Sequence, residues 1–200
     1  AAIRAASLLR DHWNAGTRLA SLPDDIRPRS RAEGYAVQSH IGDDATLFGW
    51  KIAATSAAGQ QHINVPGPIA GRIFADRIDP EGGASSLHGN AMRLAEPEFA
   101  FRFGRDLPPR STPYTTEEAL AAIDTLHPAI ELPDSRYEDV TKAGEAQIVA
   151  DNACAHRFVL GAATKADWRS IDLAAVRPVA RVGTRYAREG HGATVLGDPR

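Results

Sequence analysis

Apolar residues recur along this chain with two different periods, and the switches between them outline its elements. Ile3, Ala6, Leu9 and Trp13 fall at helical spacing over residues 2–14, with Gly16 as the stop. Pro23 to Pro28 breaks that pattern, and Ser30-Arg31-Ala32-Glu33 has the form of a capping box opening a second helix through about Ile41, closed by Gly42. From Leu47 the period becomes two: Phe48, Trp50 and Ile52 share one face and Gly49, Lys51 and Ala53 the other, so Lys51 projects away from its aromatic neighbours. Thr55 to Asn64 is small and polar, and Pro66-Gly67-Pro68 turns into a short strand over Ile69 to Ala75. Asp79 to Asn90, rich in Gly and Ser, reads as a surface loop. Thr115-Thr116-Glu117-Glu118 is a second capping-box pattern, predicting a helix through about Leu126. Asp134 to Gly144 reads as a charged loop and His156 to Gly161 as a strand. Residues 175–186 and 193–196, rich in Val, Ala and Thr, read as late strands.

The stretch Leu94 to Phe103, Leu-Ala-Glu-Pro-Glu-Phe-Ala-Phe-Arg-Phe, carries the chemistry. In a strand, Phe99, Phe101 and Phe103 share one face while Glu96, Glu98, Ala100 and Arg102 share the other. The run His127 to Leu132 repeats the arrangement, with Ile130 and Leu132 on one side and Ala129 and Glu131 on the other. Three glutamates brought together raise one another's pKa unless a cation compensates, and an all-carboxylate set suits a hard divalent ion, Mg²⁺ or Mn²⁺, rather than zinc. The spacing equally fits solvated glutamates on exposed strand faces, or glutamates paired with Arg102 or Arg136.

The chain's 200 residues suffice for one well-filled core, and a single domain is expected: a helical part over 1–45 and a β-rich core over 46–200. A formal charge of −2 shows no basic excess, which argues against nucleic acid and for a small-molecule partner. Neither a signal peptide nor a stretch of membrane-spanning length is evident. The single cysteine, Cys154, excludes an internal disulfide and fits a reducing cytoplasm; with no base in view it reads as packing. The seven histidines lack metal-ligand spacing, so His127 and His156 read as surface or core residues.

Four motifs occur in order: Gly49-Trp50-Lys51-Ile52-Ala53-Ala54-Thr55-Ser56, Glu96-Pro97-Glu98-Phe99-Ala100-Phe101, Ala129-Ile130-Glu131-Leu132-Pro133-Asp134-Ser135-Arg136, and Ala150-Asp151-Asn152-Ala153. Together, from about Tyr35 to the end, they resemble the 2-keto-4-pentenoate hydratase family and its relative 4-oxalocrotonate decarboxylase, within the fumarylacetoacetate hydrolase superfamily. The resemblance implies an α+β fold, with N-terminal helices followed by a rolled β-sandwich of the superfamily's C-terminal-domain type. It implies Mg²⁺ or Mn²⁺ held by Glu96, Glu98 and Glu131, with Lys51 in the same pocket as cation or proton shuttle and Ser56 and Ile69 also at the substrate. The implied reaction is hydration of 2-hydroxypenta-2,4-dienoate to 4-hydroxy-2-oxopentanoate in aromatic-compound catabolism, by a cytoplasmic homo-oligomer. Decarboxylation of 2-oxo-3-hexenedioate and acylpyruvate-type hydrolysis are the enzymatic alternatives. Two departures stand out: Ile69 takes the place of an aspartate that family members often use in acid/base work, and the chain stops at Arg200 where the family continues into further strands. The first of these raises a non-enzymatic alternative, a binding or assembly subunit that keeps fold and metal. Ile69, if it faces the pocket, supplies an apolar wall suited to a monocarboxylate.

Overall fold

The computed structural model describes residues 1–42 and 44–200. Its elements mix helix and strand: α1 (Ala2–Ala15), α2 (Arg31–Gln38), β1 (Leu47–Ala53), α3 (Ala57–Ile63), β2 (Ile69–Phe74), β3 (Ile78–Asp79), β4 (Glu96–Phe103), α4 (Thr116–Ala122), β5 (Ile123–Leu132), α5 (Val140–Ala143), α6 (Glu145–Ala150), β6 (Arg157–Leu160), β7 (Val179–Val182) and β8 (Tyr186–Glu189). The fold is α+β, with β1 and β2 forming one two-stranded sheet, β7 and β8 another, and a four-stranded sheet ordered β3-β6-β5-β4. The chain groups into two compact units, residues 1–96 with 131–158, and 97–130 with 159–200. Among the described residues, no helix is long and apolar enough to cross a membrane.

In the first unit, α1 buries Ala5, Ala6 and Leu9 and ends on Gly16 in the left-handed conformation, whose N–H donates to the last-turn carbonyls of His12 and Trp13. Ile3, expected on the buried face, is exposed; the contact stripe follows the two alanines instead. Ser30 Oγ accepts from the Glu33 N–H and so caps α2, but the Glu33 carboxylate accepts from the Arg29 N–H, so the reciprocal half of the box is not made. That helix stops at Gln38, short of the expected Ile41. Gln38 is buried, and its amide donates to the carbonyls of Ala70 and Val149, tying α2 to β2 and α6. The core joins these helices to Ile69, Phe74, Ile148 and Val149.

Strands β1 and β2 run antiparallel, with Lys51 opposite Gly71 and Ala53 opposite Ile69. Their burial inverts what an amphipathic strand predicts: Phe48, Trp50 and Ile52 are each about half exposed, while Lys51 is 8% exposed. The segment 57–63, read from sequence only as small and polar, forms α3, capped by the Ser56 hydroxyl accepting from the Gly59 N–H. Gly71 packs where no side chain fits: a Cβ there would lie 2.4 Å from the Asn152 carbonyl oxygen.

In the second unit the capping box at Thr115 and Glu118 forms with both bonds in place. The helix ends at Ala122, four residues before the expected Leu126, because Ile123 and Leu126 join β5 and the unit's core with Trp168 and Leu173. Phe99 and Phe101 pack against that core. Late strands appear at β7 and β8, but 193–196 is not a strand; Gly192–Thr194 is a 3₁₀ turn capped by His191.

Candidate metal centre

Alternation along β4 places Glu96 and Glu98 on one face and turns Phe99 and Phe101 the other way. On β5, Ala129 and Glu131 are buried and Ile130 is exposed, so Glu131 sits at 3% exposure on the inward face. The parity was legible from sequence; the side that faces water was not. One carboxylate oxygen from each of Glu96, Glu98 and Glu131 lies within 4.8 Å of the others.

Lys51 reaches Glu131 from β1, with Nζ 3.0 Å from Oε1. The two form a buried ion pair, and Glu131 Oε1 is otherwise without a hydrogen-bond partner. Burial pushes the Glu131 carboxyl up; Lys51 opposes that and Glu96 adds to it, leaving Glu131 above the usual carboxylate value. Burial pushes the lysine ammonium down, but Glu131, Cys154 and Glu96 push it up by more, so Lys51 is held above its ordinary value.

This donor set fits a hard divalent cation: three carboxylates on strands, one of them with a buried oxygen that no hydrogen bond satisfies and a proton affinity raised chiefly by burial and further by its like-charged neighbour. Arg136, one partner the sequence offered for these glutamates, is committed elsewhere: its guanidinium binds the Asp151 carboxylate, and both side chains are buried. Ser56 caps α3, and Ile69 is 1% exposed within the first unit's core. Cys154 is buried and its thiol is pushed up to about 12, chiefly by burial, which keeps it a neutral packing group.

Some of the site's support stood in the quoted motifs without a structural role read for it. The stretch Asp134 to Arg136, read as part of a charged loop, is buried, with Ser135 and Arg136 both bonded to Asp151. Next to it, Asn152, Ala153 and Cys154 all have left-handed backbones, with φ of 56°, 50° and 62°. The Asn152 amide holds β2 by accepting from the Arg72 N–H at 2.7 Å and donating to the Arg72 carbonyl at 2.9 Å. Clustered charges flanked by small apolar residues were the available signal, since such charges are seldom buried without partners.

No protein-family model matches the chain. A 4-oxalocrotonate decarboxylase from Pseudomonas sp is 32% identical over 174 residues, 87% of this chain and 65% of that protein. A 2-keto-4-pentenoate hydratase from Dechloromonas aromatica (strain RCB) is 31% identical over 200 residues, 98% of this chain and 74% of the relative. The chain thus spans about two thirds to three quarters of the length of these relatives. The solved 4-oxalocrotonate decarboxylase from Pseudomonas putida G7, complexed with magnesium and adipate, superposes with a TM-score of 0.76 at 26% identity, covering 98% of this chain and 76% of that one. On sequence and structure alike, the chain belongs to the family of 2-keto-4-pentenoate hydratases and 4-oxalocrotonate decarboxylases.

Proposed function

We propose that this chain catalyses the divalent-metal-dependent hydration of 2-hydroxypenta-2,4-dienoate to 4-hydroxy-2-oxopentanoate. The observation that carries the reading is the convergence of Glu96, Glu98 and Glu131 within 4.8 Å, in a chain that several hydratases match over nearly its whole length. Glu96, Glu98 and Glu131 would hold Mg²⁺ or Mn²⁺. When bound, the ion supplies Lewis-acid stabilisation of the negative charge that develops as a 2-oxo acid enolises. Lys51 brings a buried ammonium next to Glu131, a cation that can fix the substrate carboxylate and give a proton from Nζ. A proton moved along the substrate's carbon skeleton gives the conjugated 2-oxo-3-enoate, whose fourth carbon then accepts water.

The test is a metal-dependent ultraviolet assay with 2-hydroxypenta-2,4-dienoate. Loss of the dienol absorbance with Mg²⁺, and none with a chelator, is expected; no metal-dependent loss removes the reading. A second reading, decarboxylation of 2-oxo-3-hexenedioate, is favoured by the 32%-identical decarboxylase and the solved decarboxylase structures. Carbon dioxide release faster than dienol hydration would put it first. The accompanying expectations of a rolled β-sandwich and a cytoplasmic homo-oligomer rest on the family likeness, and sedimentation of the purified protein tests the oligomer.

A further inference from the structure

Beside Glu131, within the first unit, lies a cavity of about 10 Å³ walled in part by Trp13, Arg72, Glu131 and His156. A space of that size admits one water molecule. Among the described residues, seven buried side-chain polar atoms lack a hydrogen-bond partner, and four of them belong to these wall residues: Trp13 Nε1, Arg72 Nε, Glu131 Oε1 and His156 Nδ1. Such atoms are normally paired with protein or with ordered water, and the four residues that carry them wall one small space, which points to a shared partner; Glu131 Oε1 has the Lys51 ammonium at 3.0 Å besides. The chemistry is complementary: the indole and guanidinium N–H groups donate, the carboxylate oxygen accepts, and the imidazole nitrogen does either according to its tautomer. The ring of His156 is held in place by Trp13, centroid to centroid 5.3 Å, and Trp13 is itself covered by the Arg136 guanidinium at 4.0 Å.

We propose that one ordered water fills this cavity, bridging Glu131 to His156 and Trp13, and that it fixes the orientation of the Glu131 carboxylate, which makes His156 a positioning residue for the metal centre. The water stands on the cavity and its polar atoms alone; the consequence for the metal rests on the proposed function of the three glutamates. Groups that orient a metal ligand from behind typically change metal affinity 10- to 100-fold when removed.

A crystal structure of the full chain at a resolution that places solvent decides the first part. One water within hydrogen-bond reach of both Glu131 and His156 is expected, with or without added metal, whereas a cavity closed by side chains or devoid of density overturns the proposal. Calorimetry with Mn²⁺ decides the second. His156→Phe keeps the ring against Trp13 and removes the nitrogen, and should weaken Mn²⁺ binding about tenfold or more; His156→Asn, which restores a polar atom near the position of Nδ1, should recover most of the loss. Equal affinity for His156→Phe and the unaltered protein, or equal losses in both variants, overturns the positioning role. If the unaltered protein binds no Mn²⁺, the metal-centre reading fails and the positioning role falls with it, while the solvent density still decides the water.

Discussion

Lys51 and Glu131 lie 3.0 Å apart with side-chain exposures of 7% and 4%, so each is the other's neighbouring charge in a place where water compensates neither. Removing one member leaves the other buried and uncompensated, which typically costs about 3–5 kcal/mol. Lys51→Met should therefore lower stability by about 3 kcal/mol in metal-free protein and cut turnover about a hundredfold or more. Saturating Mn²⁺ should restore part of the stability, because a cation beside Glu131 replaces the lost ammonium. Denaturant titrations with and without Mn²⁺, alongside the ultraviolet assay, check both; unchanged kinetics would show that Lys51 has no part in the reaction.

Glu96 is the cleaner place to interrupt the carboxylate group, since it is only half-buried and is not the partner placed 3.0 Å from Lys51. Glu96→Gln should abolish Mn²⁺ binding measured by calorimetry. In metal-free protein the same change relieves the like-charge push on Glu131 and should leave the melting temperature unchanged or slightly raised. Retained Mn²⁺ affinity would place the ion elsewhere.

Asp79 gives a pH signature of its own. Arg157 beside it, with the Ser85 hydroxyl, holds the carboxyl down to about 2 against the opposing effect of burial. A folded-state value below that of the unfolded chain stabilises fully above about pH 4, and the stabilisation is lost as pH falls through about 2. Asp79→Asn should thus reduce stability at neutral pH and flatten its decline between about pH 4 and pH 2, followed by urea denaturation across that range. A decline as steep as that of the unaltered protein would show that the pair contributes nothing.

Asn152 combines two hydrogen bonds to the backbone of Arg72 with a left-handed backbone and complete burial. Asn152→Ala leaves a partly buried donor and a partly buried acceptor of β2 unpaired and keeps the unfavourable φ, so a loss of about 2–4 kcal/mol is expected in equilibrium denaturation. A loss under about 1 kcal/mol would mean that water replaces the amide.

Side-chain parity was legible wherever it depends only on strand alternation: Lys51 opposes Trp50, and Glu96 shares a face with Glu98. Which face is buried was not, because that is decided by what packs on the strand. Phe48, Trp50 and Ile52 carry the apolar pattern yet are half exposed, while Lys51 and Glu131 are buried because each offers the other a charge. Local hydrogen bonding was legible at Thr115, where the expected box forms, and less so at Ser30, where a nearer backbone N–H at Arg29 takes the glutamate. The metal ligands needed the ordered motifs as well as the alternation, since spacing alone suits an exposed strand equally well. Arg136 and Asp151 both stood in the quoted motifs, but their pairing was not legible because they lie 15 positions apart, beyond the reach of any local period.

Trp168 is buried at the centre of the second unit's core, near the ring of Phe101, and the other two tryptophans, Trp13 and Trp50, belong to the first unit. The molecule therefore carries separate optical reporters. A variant with Trp13 and Trp50 replaced by Phe would emit from the second unit alone, and its complement from the first. Comparing the two emission curves through a denaturant gradient would tell whether the halves melt together or one after the other.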